Sequence, residues 1–244
     1  MSTNNISEYS GAVTNGYARW NEQVLHSKNV INSSQYKINA SYDSIRDFDK
    51  QLMTGHWIQE IASIMAKNPQ FRQAIEAGAQ ETGDKLSFAQ SLLSYPQIAI
   101  RYDGASNALI DGLNHIERFD YQYRNLSHAF EDAARGRRNK TRSKARNISN
   151  IDLSIYASKN NTPSVAEQML SIAAIKILSL ENNPNIRVAY NSTLLNMPVE
   201  NCLHHAQRNS AQCKAASHDK HDLSFCMAKH AIGETSQCFS WILP

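Results

Sequence analysis

Residues 17–52 read YARWNEQ VLHSKNV INSSQYK INASYDS IRDFDKQ L when broken at every seventh position, so that Tyr17, Val24, Ile31, Ile38, Ile45 and Leu52 head the lines. Trp20, Tyr42 and Phe48 stand three or four places from that series. An apolar residue at every seventh position marks a helix that lays a narrow stripe against a partner helix. The spacing predicts one long helix over 14–53, about 60 Å at the standard rise, ended by Gly55. The second line of the seam is small or polar, with Ser27, Ser34 and Ser41 or Lys28 and Gln35. That suits packing inside a bundle better than a two-stranded coiled coil.

Outward from this stretch the same period returns. Leu109, Ile116, Tyr123 and Phe130 recur every seven residues, with Leu113, Phe119 and Leu126 beside them. They predict a second long helix that starts near Gly104 and runs into a basic stretch whose only breaker is Gly136. Between the two, residues 56–100 read as a small helical insert of three short helices. Trp57, Ile58, Ile61, Ile64 and Met65 end at Asn68-Pro69, Phe71 to Ile75 run out near Gly78, and Asp84 caps a third that Pro96 stops. Thr162-Pro163 is expected to start a helix whose apolar residues, Val165 to Leu180, wrap most of its circumference and so make it the buried centre. Ile148, Ile151 and Ile155 suggest helix before it, and 185–197 reads as loop with a short helix.

Composition agrees. The chain of 244 residues has only 9 Gly and 6 Pro, too few for the turns of an all-β sandwich. Its polarity is carried by 27 Ser, 23 Asn and 14 Gln rather than by charge. The expected fold is all-α, an elongated bundle over 14–184, preceded by a flexible tail at 1–13 and followed by a Cys-containing helical hairpin at 198–244. No apolar run is long enough to span a bilayer. The polar N-terminus is no signal peptide, so the chain reads either as cytoplasmic with a native start or as the mature form of an extracytoplasmic protein.

All four cysteines lie after residue 200. Cys202 and Cys213 are eleven steps apart, nearly three helical turns, and Cys226 and Cys238 are close to the same relation. His218 to Asp222 reads as the loop between two helices, with Asp222 or Ser224 capping the second. Antiparallel packing would then set Cys202 against Cys238 and Cys213 against Cys226. This resembles the twin Cys-x9-Cys helical hairpins, with altered spacing and with Gly233 interrupting the second helix. Two rivals stay open: a zinc site drawn from Cys213, His218, His221, Cys226 and His230, and free buried thiols. Disulfides imply an oxidising compartment.

Arg135, Arg137, Arg138, Lys140, Arg142, Lys144 and Arg146 form an acid-free basic run. It is the expected charged contact surface. Nucleic acid is a conceivable partner but not the favoured one, since no aromatic residue interleaves for base stacking. No nucleophile elbow, metalloprotease or nucleotide-loop motif occurs. The carboxylates Glu60, Glu76, Glu81 and Asp84 and the thiols beside histidines are weak catalytic candidates, and Tyr17, Trp20, Trp57, Phe119 and Tyr123 read as packing. The Asn-x-Ser/Thr sequons, among them Asn32, Asn39, Asn125, Asn139, Asn147, Asn160 and Asn191, are about twice what this composition produces by chance, but three lie on expected packed helices and they are set aside.

The layout of a long N-terminal helix, a small insert and returning long helices resembles the minor pilins of type IV (conjugative) secretion systems. Residues 161–180, NTPSVAEQMLSIAAIKILSL, resemble the late helix of that family, with Gln168 and Leu180 in comparable surroundings. The resemblance implies a non-enzymatic exported protein without a cofactor, working with pilus or secretion-apparatus subunits. The alternatives are a cytosolic helical protein holding zinc and nucleic acid, and an enzyme of unrecognised kind.

Overall fold

The computed structural model describes residues 16–136, 145–157, 162–195 and 198–243. The expected tail at 1–13 lies outside them. The fold is all-α. In chain order the helices are α1 (Gly16–Ser27), α2 (Gln35–Arg46), α3 (Lys50–Met65), α4 (Pro69–Glu81), α5 (Lys85–Ser94), α6 (Ala105–Ala134), α7 (Val165–Ile177), α8 (Pro184–Leu195), α9 (Val199–Ala216), α10 (Lys220–Cys226) and α11 (Thr235–Ser240). Short 3-10 turns lie at Lys28–Val30, Pro96–Arg101 and Leu153–Ile155, and a π-helical stretch, Met227–Glu234, joins α10 to α11. Among the described residues no helix is long and apolar enough to cross a membrane.

The chain forms two compact units, divided within α3 after His56 and within α6 after Ile116. The first contains α1, α2, the start of α3, the later part of α6, and α9 to α11. Its core is the heptad stripe together with the inner faces of the later helices: Tyr17, Trp20, Val24, Ile38, Tyr42, Ile45, Tyr123, Phe130, Leu203, Met227, Ile232 and Phe239 are all buried.

The single helix expected over 14–53 is instead α1, α2 and the start of α3. The stripe remains, because four of its six positions are buried and Ile31 and Leu52 are half-covered. The backbone does not continue through it. Ser27 Oγ turns back onto the Val24 carbonyl (2.6 Å), and Ser34 takes an extended conformation at the start of α2. Asp49 Oδ1 accepts from the Leu52 N–H (2.9 Å) and starts α3. Short polar side chains that bond their own backbone compete with the helix, and no Pro or Gly is needed to stop it. Gly55, expected as an end, lies inside α3.

The second unit holds the rest of α3, α4, α5, the start of α6, α7 and α8. As expected, α7 is its buried centre: every residue from Val165 to Ile177 except Gln168 and Lys176 is buried. Each large apolar side chain removed from water there contributes roughly 1.5–3 kcal/mol. Its start lies two residues later than Thr162-Pro163 suggests. Ser164 caps it, accepting from the Glu167 N–H (3.2 Å), while Glu167 Oε2 accepts from the Ser164 N–H (2.8 Å). The reciprocal pair is a capping box. It also carries the Ser164 hydroxyl onto the Tyr156 carbonyl.

Both Asn-Pro dipeptides begin helices rather than end them. Asn68 Oδ1 accepts from the Phe71 N–H with Pro69 at the first helical position. Asn183 Oδ1 accepts from the Asn185 N–H ahead of Pro184, so 185–195 is helix and not loop. The expected helix around Ile148 and Ile151 is extended chain with one 3-10 turn. Asn114 holds it, donating to the Ile148 carbonyl (2.7 Å) and accepting from its N–H (2.8 Å), so one side-chain amide replaces a strand partner. Gly104, at φ +79, permits the close approach that starts α6, since a Cβ there would stand 2.3 Å from the Phe71 nitrogen.

Candidate functional site

The densest chemistry in the first unit surrounds the C-terminal hairpin. Asp219 begins its second arm, accepting from the backbone N–H groups of His221 (2.7 Å) and Asp222 (3.0 Å). Those two bonds hold its carboxyl below the usual carboxylate range. The cap is therefore Asp219, not Asp222 or Ser224. Asp222 instead accepts from the His218 N–H (2.9 Å) and closes the loop.

The arms are joined by Cys202–Cys238 and Cys213–Cys226, with Cα–Cα distances of 5.5 and 5.6 Å. The outer link closes 36 residues and the inner one 13. Cys202 is exposed while Cys238 is fully buried. No described cysteine is free.

The registers of the two arms do not match as α-helices. Eleven steps from Cys202 to Cys213 leave the side chains roughly 20° apart, whereas twelve from Cys226 to Cys238 leave them roughly 120° apart. The π-helical stretch Met227–Glu234 takes up the difference. A π-turn holds one residue more than an α-turn, which removes about 100° of phase and returns Cys238 to the face of Cys226. Gly233 does not interrupt the arm; it sits within this stretch.

Polar contacts bind the hairpin into the unit. The Tyr42 hydroxyl donates to the Ser210 carbonyl (2.8 Å) and shares a hydrogen bond with Ser210 Oγ (2.6 Å). Burial pushes the Tyr42 phenol up to about 12. Gln207 Nε2 donates to the carbonyls of Arg46 (2.9 Å) and Phe48 (3.2 Å), and its oxygen accepts from Lys50 Nζ (3.0 Å). Lys214 pairs with Asp43 and lies 5.9 Å above the Tyr42 ring. Ser127 Oγ donates to the Ala228 carbonyl inside the π stretch (2.8 Å). Glu234 bridges His230 Nδ1 (2.9 Å) and Asn209 Nδ2 (3.0 Å).

The aromatic residues expected to pack do so. Tyr17, Trp20, Phe119 and Tyr123 cluster with Phe239, whose ring lies 5.2 Å from Tyr17 and 5.7 Å from Trp20. Trp57 is buried in the second unit. Phe239 was not foreseen, nor were Gln207, Asn209, Ser127 and Glu234. These polar residues carry no periodic signal, and their partners are distant in sequence.

The other candidates separate. Cys213 and Cys226 are bonded to each other, so neither supplies a thiolate to the zinc set. Among the described residues no group of three or more His, Cys, Asp or Glu is arranged for a metal ion. His221 Nδ1 lies 3.4 Å from the Ala133 carbonyl. Glu60 meets His115 (2.8 Å), Glu76 meets Arg72 (3.8 Å), and Asp84 caps α5. In the basic run, Arg135, just past the end of α6, is exposed and bonded to Glu131 in the last turn of that helix (2.7 Å), and Arg146 is exposed. Arg137, Arg138, Lys140, Arg142 and Lys144 lie outside the described residues.

A second ionisable group was not visible in the sequence. In the second unit burial lowers the Lys176 ammonium while the Glu181 charge opposes that shift, and burial with the Glu181 charge raises the Tyr190 phenol.

No family, no curated protein and no solved structure matches this chain.

Proposed function

We propose that this chain is a non-enzymatic helical interaction protein that works in an oxidising, extracytoplasmic compartment. In its sharper form it is a minor-pilin-type assembly or contact subunit of a type IV (conjugative) secretion apparatus. One observation carries the reading: both pairs of cysteines are joined across one helical hairpin, and such links persist where thiols are not kept reduced. Side chains of the hairpin support it, because Asp219 is occupied in capping a helix and Gln207, Asn209 and Lys214 in joining two elements.

The compartment is tested by alkylating the protein as it leaves its own cells, without reductant. No alkylated cysteine before reduction and four afterwards is the expected result. Four reactive thiols in the native protein would reject it. The apparatus is tested by crosslinking in conjugating cells. Recovery of the chain joined to pilus subunits is expected, and a chain joined only to cytoplasmic proteins would reject the assignment.

A further inference from the structure

The outer face of the α1/α2 pair carries features that the interaction reading does not use. A cavity of about 710 Å³ is walled by Trp20, Phe48 and Leu52, and another of about 610 Å³ by Val30, Tyr36 and Ala40. Arg19, Gln23 and Ser44 line both, so the two are halves of one furrow. Ser44 lies where the halves meet, and Ala40 and Ser41 add small side chains to the second half. Ser41 is also one of the residues that weaken the second line of the heptad seam.

The halves differ in charge. Asp43, Asp47 and Asp49 line one, while His26 and Lys37 line the other, beside Glu22. Asp43 is engaged by Lys214 and by Arg46 (3.7 Å), and Asp49 caps α3. No described group pairs with Asp47 or with Lys37. Next to Lys37, Tyr36 is 80% exposed, the most exposed large apolar side chain described.

We propose that this furrow is a self-association surface whose occupant is a second copy of the chain, related by a two-fold axis through the Arg19–Ser44 midpoint. The face is complementary to itself. A two-fold axis reverses the furrow, so the half of one copy that holds the unpaired Lys37 meets the half of the other that holds the unpaired Asp47, and Lys37 faces the partner copy's Asp47. The same reversal brings the exposed Tyr36 ring over the other copy's cavity between Phe48 and Leu52. Knob and hole belong to one surface and each is used twice, which is the arrangement of an isologous interface and limits the assembly to two.

The test is sedimentation velocity on the full disulfide-bonded chain over a range of concentrations, with circular dichroism to show that each variant is folded. Wild type should pass from monomer to dimer and stop there. Tyr36→Ser should weaken the dimer by about tenfold or more. Lys37→Asp and Asp47→Lys should each weaken it by a similar factor, and the double exchange should recover most of that loss. These three side chains lie on the surface, so folding does not depend on them. A wild-type chain that stays monomeric overturns the proposal, whether its furrow is empty or holds a different peptide. So does a dimer indifferent to Tyr36→Ser, a double exchange no better than the single ones, or assembly beyond two copies.

Discussion

The carbonyl oxygen of Ala228 stands where a side chain on Gly233 would begin: a Cβ there would lie 2.6 Å from it. In an ordinary helix interior, replacing Gly by Ala is stabilising by roughly 0.5–1 kcal/mol. Here the Cβ would press on a backbone atom, and the same carbonyl is held by Ser127 Oγ, which would itself lie 3.5 Å from that Cβ. Gly233→Ala should therefore reverse the usual sign and cost about 1–3 kcal/mol. Urea unfolding without reductant measures it. A variant more stable than wild type would mean that the π stretch relaxes freely.

Ser179 is the one described residue other than glycine with positive φ, at 54°. It ends α7 with a Schellman pattern: its N–H donates to the Lys176 carbonyl (3.0 Å), and the Leu180 N–H donates to the Ile175 carbonyl (3.2 Å). Glycine takes that conformation without steric cost. Ser179→Gly should stabilise the chain by about 0.5–1 kcal/mol, and the β-branched Ser179→Val should destabilise it by about 1–2 kcal/mol. Equal melting temperatures for the two variants would contradict this.

Tyr42 supplies a pH dependence. Its phenol is raised to about 12 in the folded protein from 10.0. Between those values the folded state keeps a proton that the unfolded state has lost, so stability falls as pH rises. The contribution is fully present below pH 10 and is lost as pH climbs through about 12, amounting to about 2–3 kcal/mol. Tyr42→Phe should cost about 1 kcal/mol at neutral pH, through the lost Ser210 bonds, and should flatten this alkaline fall. Part of the fall will remain, since burial also raises Tyr102, Tyr156 and Tyr190. Unfolding midpoints from pH 8 to 11.5 decide it, and parallel curves for variant and wild type would reject the assignment.

What was legible in the sequence follows from what periodicity measures. The seven-residue stripe reports which side of a segment faces the core, and it identified Tyr17, Val24, Ile38 and Ile45 as buried. It does not report continuity. At the breaks over Ser27–Ser34 and Asp47–Asp49, Ser27 and Asp49 bond nearby backbone through their short polar side chains, which reads as ordinary composition in a chain so rich in Ser and Asn. Asn-Pro is ambiguous for the same local reason, because it can follow one helix or cap the next. In the hairpin the pairing of thiols was readable from their nesting. The surplus step between Cys226 and Cys238 was also in plain view, but only the requirement that both links close turns it into a π-helical stretch.

That requirement makes the register testable. Lys229 is exposed within the π stretch, and deleting it leaves eleven steps between the last two cysteines, the number that separates the first two. An unbroken α-helix then places both thiols on one face, so both native links should form. Peptide mapping should recover the pairs Cys202–Cys238 and Cys213–Cys226, each residue named by its present number. Inserting one alanine after Lys229 has the opposite effect. Thirteen steps demand a second extra residue in the same stretch, about 100° more phase to remove, and the outer link should form poorly or pair wrongly. If insertion and deletion are tolerated alike, the π stretch is not what aligns Cys226 with Cys238. If only the deletion keeps native pairing, the twelve-step spacing and the π-helix are one feature.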